Sequence, residues 1–314
     1  MALLTKASVD KPVFLTQGSA SGILDAAVHA GMHSLRLSQG AASDLDEQSK
    51  ADGSPVTRAD IESQAIIVER LGGLFPGIPV VGEEGEPTPA AERAEYQAYF
   101  IIDPLDGTKG FLEGKGEFAV CIGYVKDNRV RFGLVYSPAT DEAIIGEPGA
   151  GLCIVEAASK RSADDDLVVT EPLTAAQNGD ATAARISVAQ QPLRDRTIEV
   201  IASRHNMDAT TRSWIDRIAL RTGGVALTQA GSARKFMSIA RNSADVYPRF
   251  SPCSQWDIAA GHAIVEASGG LFIDADTGSV PYYRADTLEA PRFVAWSRKG
   301  LLLAVSAQSM IDYA

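Results

Sequence analysis

The sequence predicts a mixed fold, α+β in its first half and α/β in its second, on three observations. Apolar runs such as Tyr99-Phe100-Ile101-Ile102 are continuous, as in strands buried on both faces. Between residues 118 and 155 such runs succeed one another across short polar interruptions, as in an antiparallel sheet. Beyond residue 197 strand-like and helix-like stretches alternate. The expected division is residues 1–156 for the α+β part and 157–314 for the α/β part, with no internal repeat.

Across 23–37 apolar residues recur at three- and four-residue intervals and Gly40 follows as a stop, which predicts an amphipathic helix. Thr57 is placed to cap a second helix, with Ile61, Ala65, Ile66 and Leu71 as its buried stripe and Gly72-Gly73 as its end. Segments 79–82 and 99–103 read as short strands ending in acidic residues, and the chain is expected to turn after the second through Pro104 and Gly107. Segments 118–124 and 130–136 flank Lys126-Asp127-Asn128-Arg129 as a hairpin, and 143–145 and 152–155 extend its sheet. From 156 to about 185 Ala, Asp, Ser and Thr dominate without a period, which predicts a surface excursion or boundary of low functional content. Then come strands at 198–202, 225–229, 245–247 and 271–273, and helices near 214–220, 234–240 and 255–267.

A chain of 314 residues, 45% hydrophobic and 22% charged, is of ordinary globular composition, which excludes disordered and fibrous classes. No apolar stretch approaches the roughly 20 residues of a membrane span, and the opening residues lack a signal-peptide pattern. The reading is cytoplasmic, with peripheral association at the inner membrane left open. Cys121, Cys153 and Cys253 are odd in number and far apart, which disfavours a disulfide framework or a zinc site and predicts reduced, buried thiols. A net charge of −11 argues against a nucleic-acid polymer as partner. A small phosphorylated substrate stays in play, because bound divalent cations draw phosphate to an acidic protein. Oligomeric state leaves no trace in the sequence.

Three acidic clusters stand out: Gly82-Glu83-Glu84, Asp103-Pro104-Leu105-Asp106-Gly107-Thr108 and Trp256-Asp257, with Asp60 as a possible fourth. Singly, each has an ordinary explanation, a solvated loop for Glu83 and Glu84, a helix start for Asp257. The middle cluster resists one. Two aspartates three residues apart leave a buried strand together, and like charges so placed raise each other's pKa unless a cation neutralises them. Oxygen-only donors point to magnesium, whereas zinc calls for histidine and cysteine at motif spacing, and none of the four histidines stands beside the clusters. The Gly107-Thr108 turn offers backbone amides and a hydroxyl to a phosphate. A covalent aspartyl-phosphate mechanism needs a nucleophile two positions before Asp106, where Pro104 stands, so attack by water is favoured.

Together and in order, these three segments, the last running Trp256-Asp257-Ile258-Ala259-Ala260-Gly261, resemble the motifs of the inositol monophosphatase superfamily from about residue 51 to 283. The resemblance implies a layered αβαβα sandwich. Further segments resemble the CysQ-type 3'(2'),5'-bisphosphate nucleotidases within it: 50–57, Thr108-Lys109 with Gly116-Glu117-Phe118, Gly231-Ser232 with Lys235-Phe236, and Tyr247-Pro248-Arg249-Phe250. It implies two or three magnesium ions on Glu83, Asp103, the Leu105 carbonyl, Asp106 and Asp257, with Asp60 and Thr108 activating water. It further implies that the Gly107 and Thr108 amides hold the scissile phosphate, and that Ser203, Gly231, Ser232, Lys235, Arg249 and Asp257 hold the rest of the substrate.

By the same resemblance the metal motifs fall in 1–156, apart from Asp257, and the substrate segments in 157–314. The implied reaction converts 3'-phosphoadenosine 5'-phosphate to AMP and phosphate, with lithium inhibition and a role in sulfur metabolism. The alternatives are an inositol or sugar monophosphatase and a non-catalytic sensor of nucleotide and metal. Ser203-Arg204-His205-Asn206 departs from the Ser-Arg-Ser-His usual in the subfamily, which leaves the base-contacting edge open. His262 and Trp256 are expected to pack. His29 and His33 share a helix face without an evident acidic partner.

Overall fold

The computed structural model describes residues 19–41, 45–50, 53–161, 167 and 196–304. Helix α1 (Ser19–Ser38) is followed by the short pairing of β1 (Gln48–Ser49) with β2 (Pro55–Val56) and by α2 (Arg58–Leu74). Next come β3 (Val80–Gly82), α3 (Ala90–Arg93), β4 (Ala98–Asp106) and α4 (Thr108–Leu112). Strands β5 (Ala119–Lys126), β6 (Arg129–Ser137), β7 (Glu142–Glu147) and β8 (Gly151–Glu156) complete a six-stranded sheet in chain order. Only the β3–β4 pair is parallel. The predicted hairpin turns on Asp127 and Asn128, both at positive φ, as a tight two-residue turn matching the strand twist.

The second half supplies β9 (Ile198–Ser203), α5 (Ala209–Arg221), β10 (Val225–Ala230), α6 (Arg234–Ala240), β11 (Val246–Arg249) and α7 (Gln255–Ala267). It ends with β12 (Leu271–Asp274), β13 (Phe293–Trp296) and α8 (Arg298–Ala304). These strands form a five-stranded sheet in the order β10-β9-β11-β13-β12. β13, absent from the sequence reading, is antiparallel to both its neighbours.

Burial stacks these elements into αβαβα layers. Ile23, Ala27, Ile67 and Leu71 of α1 and α2 cover Phe100, Ile102, Val120 and Tyr136 of the first sheet. Phe236, Ile258 and Ala263 of α6 and α7 lie between the sheets. Trp214, Ile218 and Leu301 cover the far side of the second sheet. The close approach of α7 to the first sheet has a specific cause. Gly123, Gly133 and Gly146 are cross-strand partners on β5, β6 and β7, and a Cβ on Gly133 would stand 2.3 Å from the Ala260 carbonyl oxygen. The row is a trough in which the helix backbone lies.

Three expectations need correction. In α2 Ile61 is 54% exposed and Ala65 is exposed too, while Ala59, Asp60, Ser63, Ile67 and Leu71 are buried. A capping box between Thr57 and Asp60, with a 2.7 Å Ser63–Ser34 hydroxyl contact, turns the helix onto a face that apolarity alone did not mark. The helix runs through Gly72-Gly73 to Leu74 and closes on the Phe75 amide bonded to the Leu71 carbonyl. β4 passes Pro104 with a register shift between Asp103 and Asp106, because proline lacks the amide a regular ladder needs. The turn falls at Gly107, with φ 100°. Of the 156–185 segment, 162–166 and 168–185 lie outside the described residues. Among the described residues no helix is long and apolar enough to cross a membrane.

Candidate active site

Parallel strands place the first carboxylates. β3 and β4 run side by side, so Glu83, just past β3, and Asp103, near the end of β4, emerge at the same edge. Asp103 is 1% exposed and its Oδ1 accepts from the Leu105 amide at 2.9 Å. Asp257 arrives on the first turn of α7, where its Oδ2 accepts from the Ser254 amide at 2.9 Å as half of a capping box. Its helix-start role and its place in the cluster are therefore compatible. Carboxylate oxygens of Glu83, Asp103 and Asp257 lie within 4.8 Å of one another. Asp106 is adjacent, but its Oδ2 accepts from the Ala233 amide at the start of α6.

Burial and crowding set the electrostatics. Burial, then Glu83, Asp106 and Asp257, push the Asp103 carboxyl well above its ordinary range. Glu83 is pushed up to about 7 by burial, against the pull of Lys50. Asp106 rises to about 6 by burial and Asp257, against Lys235 and Arg249. The donors are all carboxylate oxygens, and no nitrogen or sulfur ligand belongs to the cluster among the described residues. That donor set fits a hard divalent cation such as magnesium.

Asp60 stands behind this cluster. Its Oδ2 accepts from the Thr57 amide at 2.8 Å and the Thr57 hydroxyl at 2.5 Å, and its Oδ1 from the Thr108 hydroxyl at 3.1 Å. Burial raises its pKa despite these bonds. Every other expected site residue borders one cavity of about 390 Å³.

A buried cation, Lys235, and a half-buried one, Arg249, face the acids there. Lys235 is 4% exposed and its Nζ donates to the Ser232 carbonyl at 2.5 Å. Burial lowers its pKa to about 8, although Asp106 pulls it upward. Arg249 Nη2 donates to the Pro252 carbonyl at 3.2 Å and lies 3.9 Å from Asp257 Oδ2, while its buried Nε has no hydrogen-bond partner among the described residues.

The sequence reading gave Lys50 no role, yet its Nζ lies 2.6 Å from Glu83 Oε1 and 2.8 Å from Glu84 Oε1. Glu117, which borders the cavity, also pairs with Arg204. These partners come from remote stretches, so no local spacing announces them. Cys253 and Trp256 border the cavity, and Cys253 is half-buried where full burial was expected; the three cysteines are free. His262 packs as expected, 1% exposed, bonded to the Tyr283 hydroxyl at 2.8 Å and stacked on Phe272. His33 does have an acidic partner, Glu62 at 2.7 Å, which Arg58 also holds.

Comparison with known proteins gives this geometry a family. The 3'(2'),5'-bisphosphate nucleotidase CysQ of Escherichia coli O6:H1 is 32% identical over 249 residues, 79% of this chain and 88% of that protein. The Salmonella typhimurium protein of the same name is 32% identical over 244 residues, 78% of this chain and 86% of its own. CysQ from Bacteroides thetaiotaomicron, described as a bacterial member of the inositol monophosphatase family, superposes with a TM-score of 0.72 at 29% identity, covering 91% of this chain and 99% of that one. The extragenic suppressor protein suhB from Bartonella henselae shares the fold, with a TM-score of 0.66 at 22% identity over 94% of this chain and 98% of its own. The profile of the inositol monophosphatase family matches residues 20–310, and the chain belongs to that family.

Proposed function

We propose that this protein is a magnesium-dependent phosphatase that hydrolyses 3'-phosphoadenosine 5'-phosphate to AMP and phosphate by attack of water. One observation carries the reading to a substrate with two phosphates: the buried Lys235 and the half-buried Arg249 share a cavity with the carboxylate cluster. The names of the CysQ relatives support the same substrate class.

Glu83, Asp103, the Leu105 carbonyl, Asp106 and Asp257 would hold two or three magnesium ions. Bound there, magnesium supplies charge neutralisation for the phosphoryl oxygens and acidifies a coordinated water. The chain's own groups do the rest. Asp60 receives the Thr108 hydroxyl proton in a hydrogen bond, which fixes that rotor and leaves a Thr108 lone pair to accept from an attacking water. The Gly107 and Thr108 amides hold the scissile phosphate. Lys235 and Arg249 bind the second phosphate, where the guanidinium fork suits two oxygens at once. Ser203, Gly231 and Ser232 line the nucleotide's path between them, and Asp257 contacts the substrate as well as the metal.

Purified protein with magnesium is expected to release phosphate from the bisphosphate nucleotide far faster than from inositol 1-phosphate, with the sulfated parent nucleotide as a third arm. Equal or reversed preference would reject the bisphosphate reading and leave the inositol or sugar monophosphatase alternative. Nucleotide binding without phosphate release across several divalent metals would mark a non-catalytic sensor.

A further inference from the structure

Glu117 puts a negative charge in the wall of a cavity suited to a polyanion, and its surroundings explain how that is tolerated. Arg204, just past β9, grips it in a two-pronged pair: Nη2 donates to Oε1 at 2.7 Å and Nε to Oε2 at 3.1 Å. Burial would raise the Glu117 pKa, but Arg204 and the Gly231 amide outweigh it and hold the carboxyl below its ordinary value.

Glu117 meets three glycine segments, the Gly107 and Gly110 turns through its main-chain carbonyl and Gly231 through its carboxylate. Oε2 also accepts from the Gly231 amide at 3.2 Å. A Cβ on Gly107 would stand 2.6 Å from the Glu117 carbonyl oxygen, one on Gly110 2.9 Å from it, and one on Gly231 3.0 Å from Oε2. Arg204 itself is fixed to the end of β10, through its amide to the Ala230 carbonyl and Nη2 to the Gln229 carbonyl, both at 3.1 Å. The line of contact thus runs from the Gly107-Thr108 turn through Glu117 to Gly231-Ser232, and on to Lys235, whose Nζ holds the Ser232 carbonyl.

We propose that Glu117 and Arg204 are positioning residues, a latch that sets the distance between the scissile-phosphate cradle at Gly107-Thr108 and the second-phosphate segment at Ser232-Lys235, and so sets the preference for a two-phosphate nucleotide over a one-phosphate one. The assignment rests on the proposed function. A charge-assisted pair with two parallel hydrogen bonds fixes orientation as well as distance, which a single bond does not. Arginine is needed for that fork, and lysine offers only a point charge.

The test compares kcat and KM for 3'-phosphoadenosine 5'-phosphate with those for 3'-AMP, which carries the same scissile phosphate without the second one. Arg204→Met is expected to lower the ratio of the two kcat/KM values about tenfold, through a raised KM for the bisphosphate. Arg204→Lys should restore part of the ratio, and Glu117→Gln should lower it in the same direction. Should Arg204→Met fail to fold, Arg204→Lys and Glu117→Gln decide the matter by the same ratio. Equal losses on both nucleotides, accompanied by a lower Tm, would reduce the pair to packing and overturn the proposal. A preference that survives intact in Arg204→Met sinks the latch alone, whereas wild-type protein with no preference sinks the proposed substrate and the latch with it.

Discussion

The hydroxyl of Thr108 lies 3.1 Å from Oδ1 of Asp60, a contact that joins the first residue of α4 to the third residue of α2. The other oxygen of Asp60 is committed to capping its own helix. One buried carboxylate therefore serves the fold with one oxygen and the cavity with the other.

Asp60→Asn separates those two services. An amide oxygen can still cap the helix, but the amide nitrogen then meets the Thr108 hydroxyl as a donor and frees its rotor. The expected result is a fall in kcat on the order of 10³ with little change in KM, and a loss of no more than about 1 kcal/mol in denaturant unfolding. Steady-state kinetics and urea titration together check both halves.

The carboxylate cluster predicts a pH dependence with a definite sign. The folded-state pKa values of Asp103, Glu83 and Asp106 are raised, the latter two to about 7 and about 6. The metal-free native protein therefore retains protons that the unfolded chain gives up above about pH 4. Stability without metal falls as pH rises through that window, because the native state binds more protons there. Metal binding competes with those protons. Raising pH from about 5.5 to about 8 is expected to lower Tm in chelator and to enlarge the Tm gain from added magnesium, both readable by scanning fluorimetry.

Removing the cavity arginine tests the substrate reading. Arg249→Ala is expected to raise KM for the bisphosphate nucleotide about 10- to 100-fold while leaving inositol 1-phosphate turnover nearly as it was. A monophosphatase would show little effect on its own preferred substrate, so the same variant separates the two enzymes in a phosphate-release assay.

Packing beneath α7 makes a fourth prediction. Gly133→Ala would bring its methyl group 2.3 Å from the Ala260 carbonyl oxygen, and overpacking of that kind costs about 1–3 kcal/mol. Since α7 carries Asp257, magnesium affinity should weaken along with thermal stability. Calorimetric titration of the metal checks the first and a melting curve the second.

The parts of the fold that were legible are those whose signal is local. Continuous apolar runs marked β4 to β8, and Asp103 and Asp106, three residues apart at the end of β4, border one cavity because so short a stretch leaves them little room to part. The face of α2 was misread because a hydroxyl pair, Ser34 with Ser63, buries a polar position that apolarity assigns to solvent. β13 is only four residues long and takes its place by pairing with β11 and β12, which are distant or out of order in the chain. Lys50 with Glu83, and Arg204 with Glu117, meet across loops that only the assembled sheets bring together.

The trough of Gly123, Gly133 and Gly146 has one more consequence. Nothing smaller than glycine exists, so every amino-acid replacement at these three positions adds atoms on the side facing the Asp257 helix. Drift in this wall is consequently one-directional: it can lever the carboxylate outward but can never draw it in, and the starting sequence already sits at the limit of closeness.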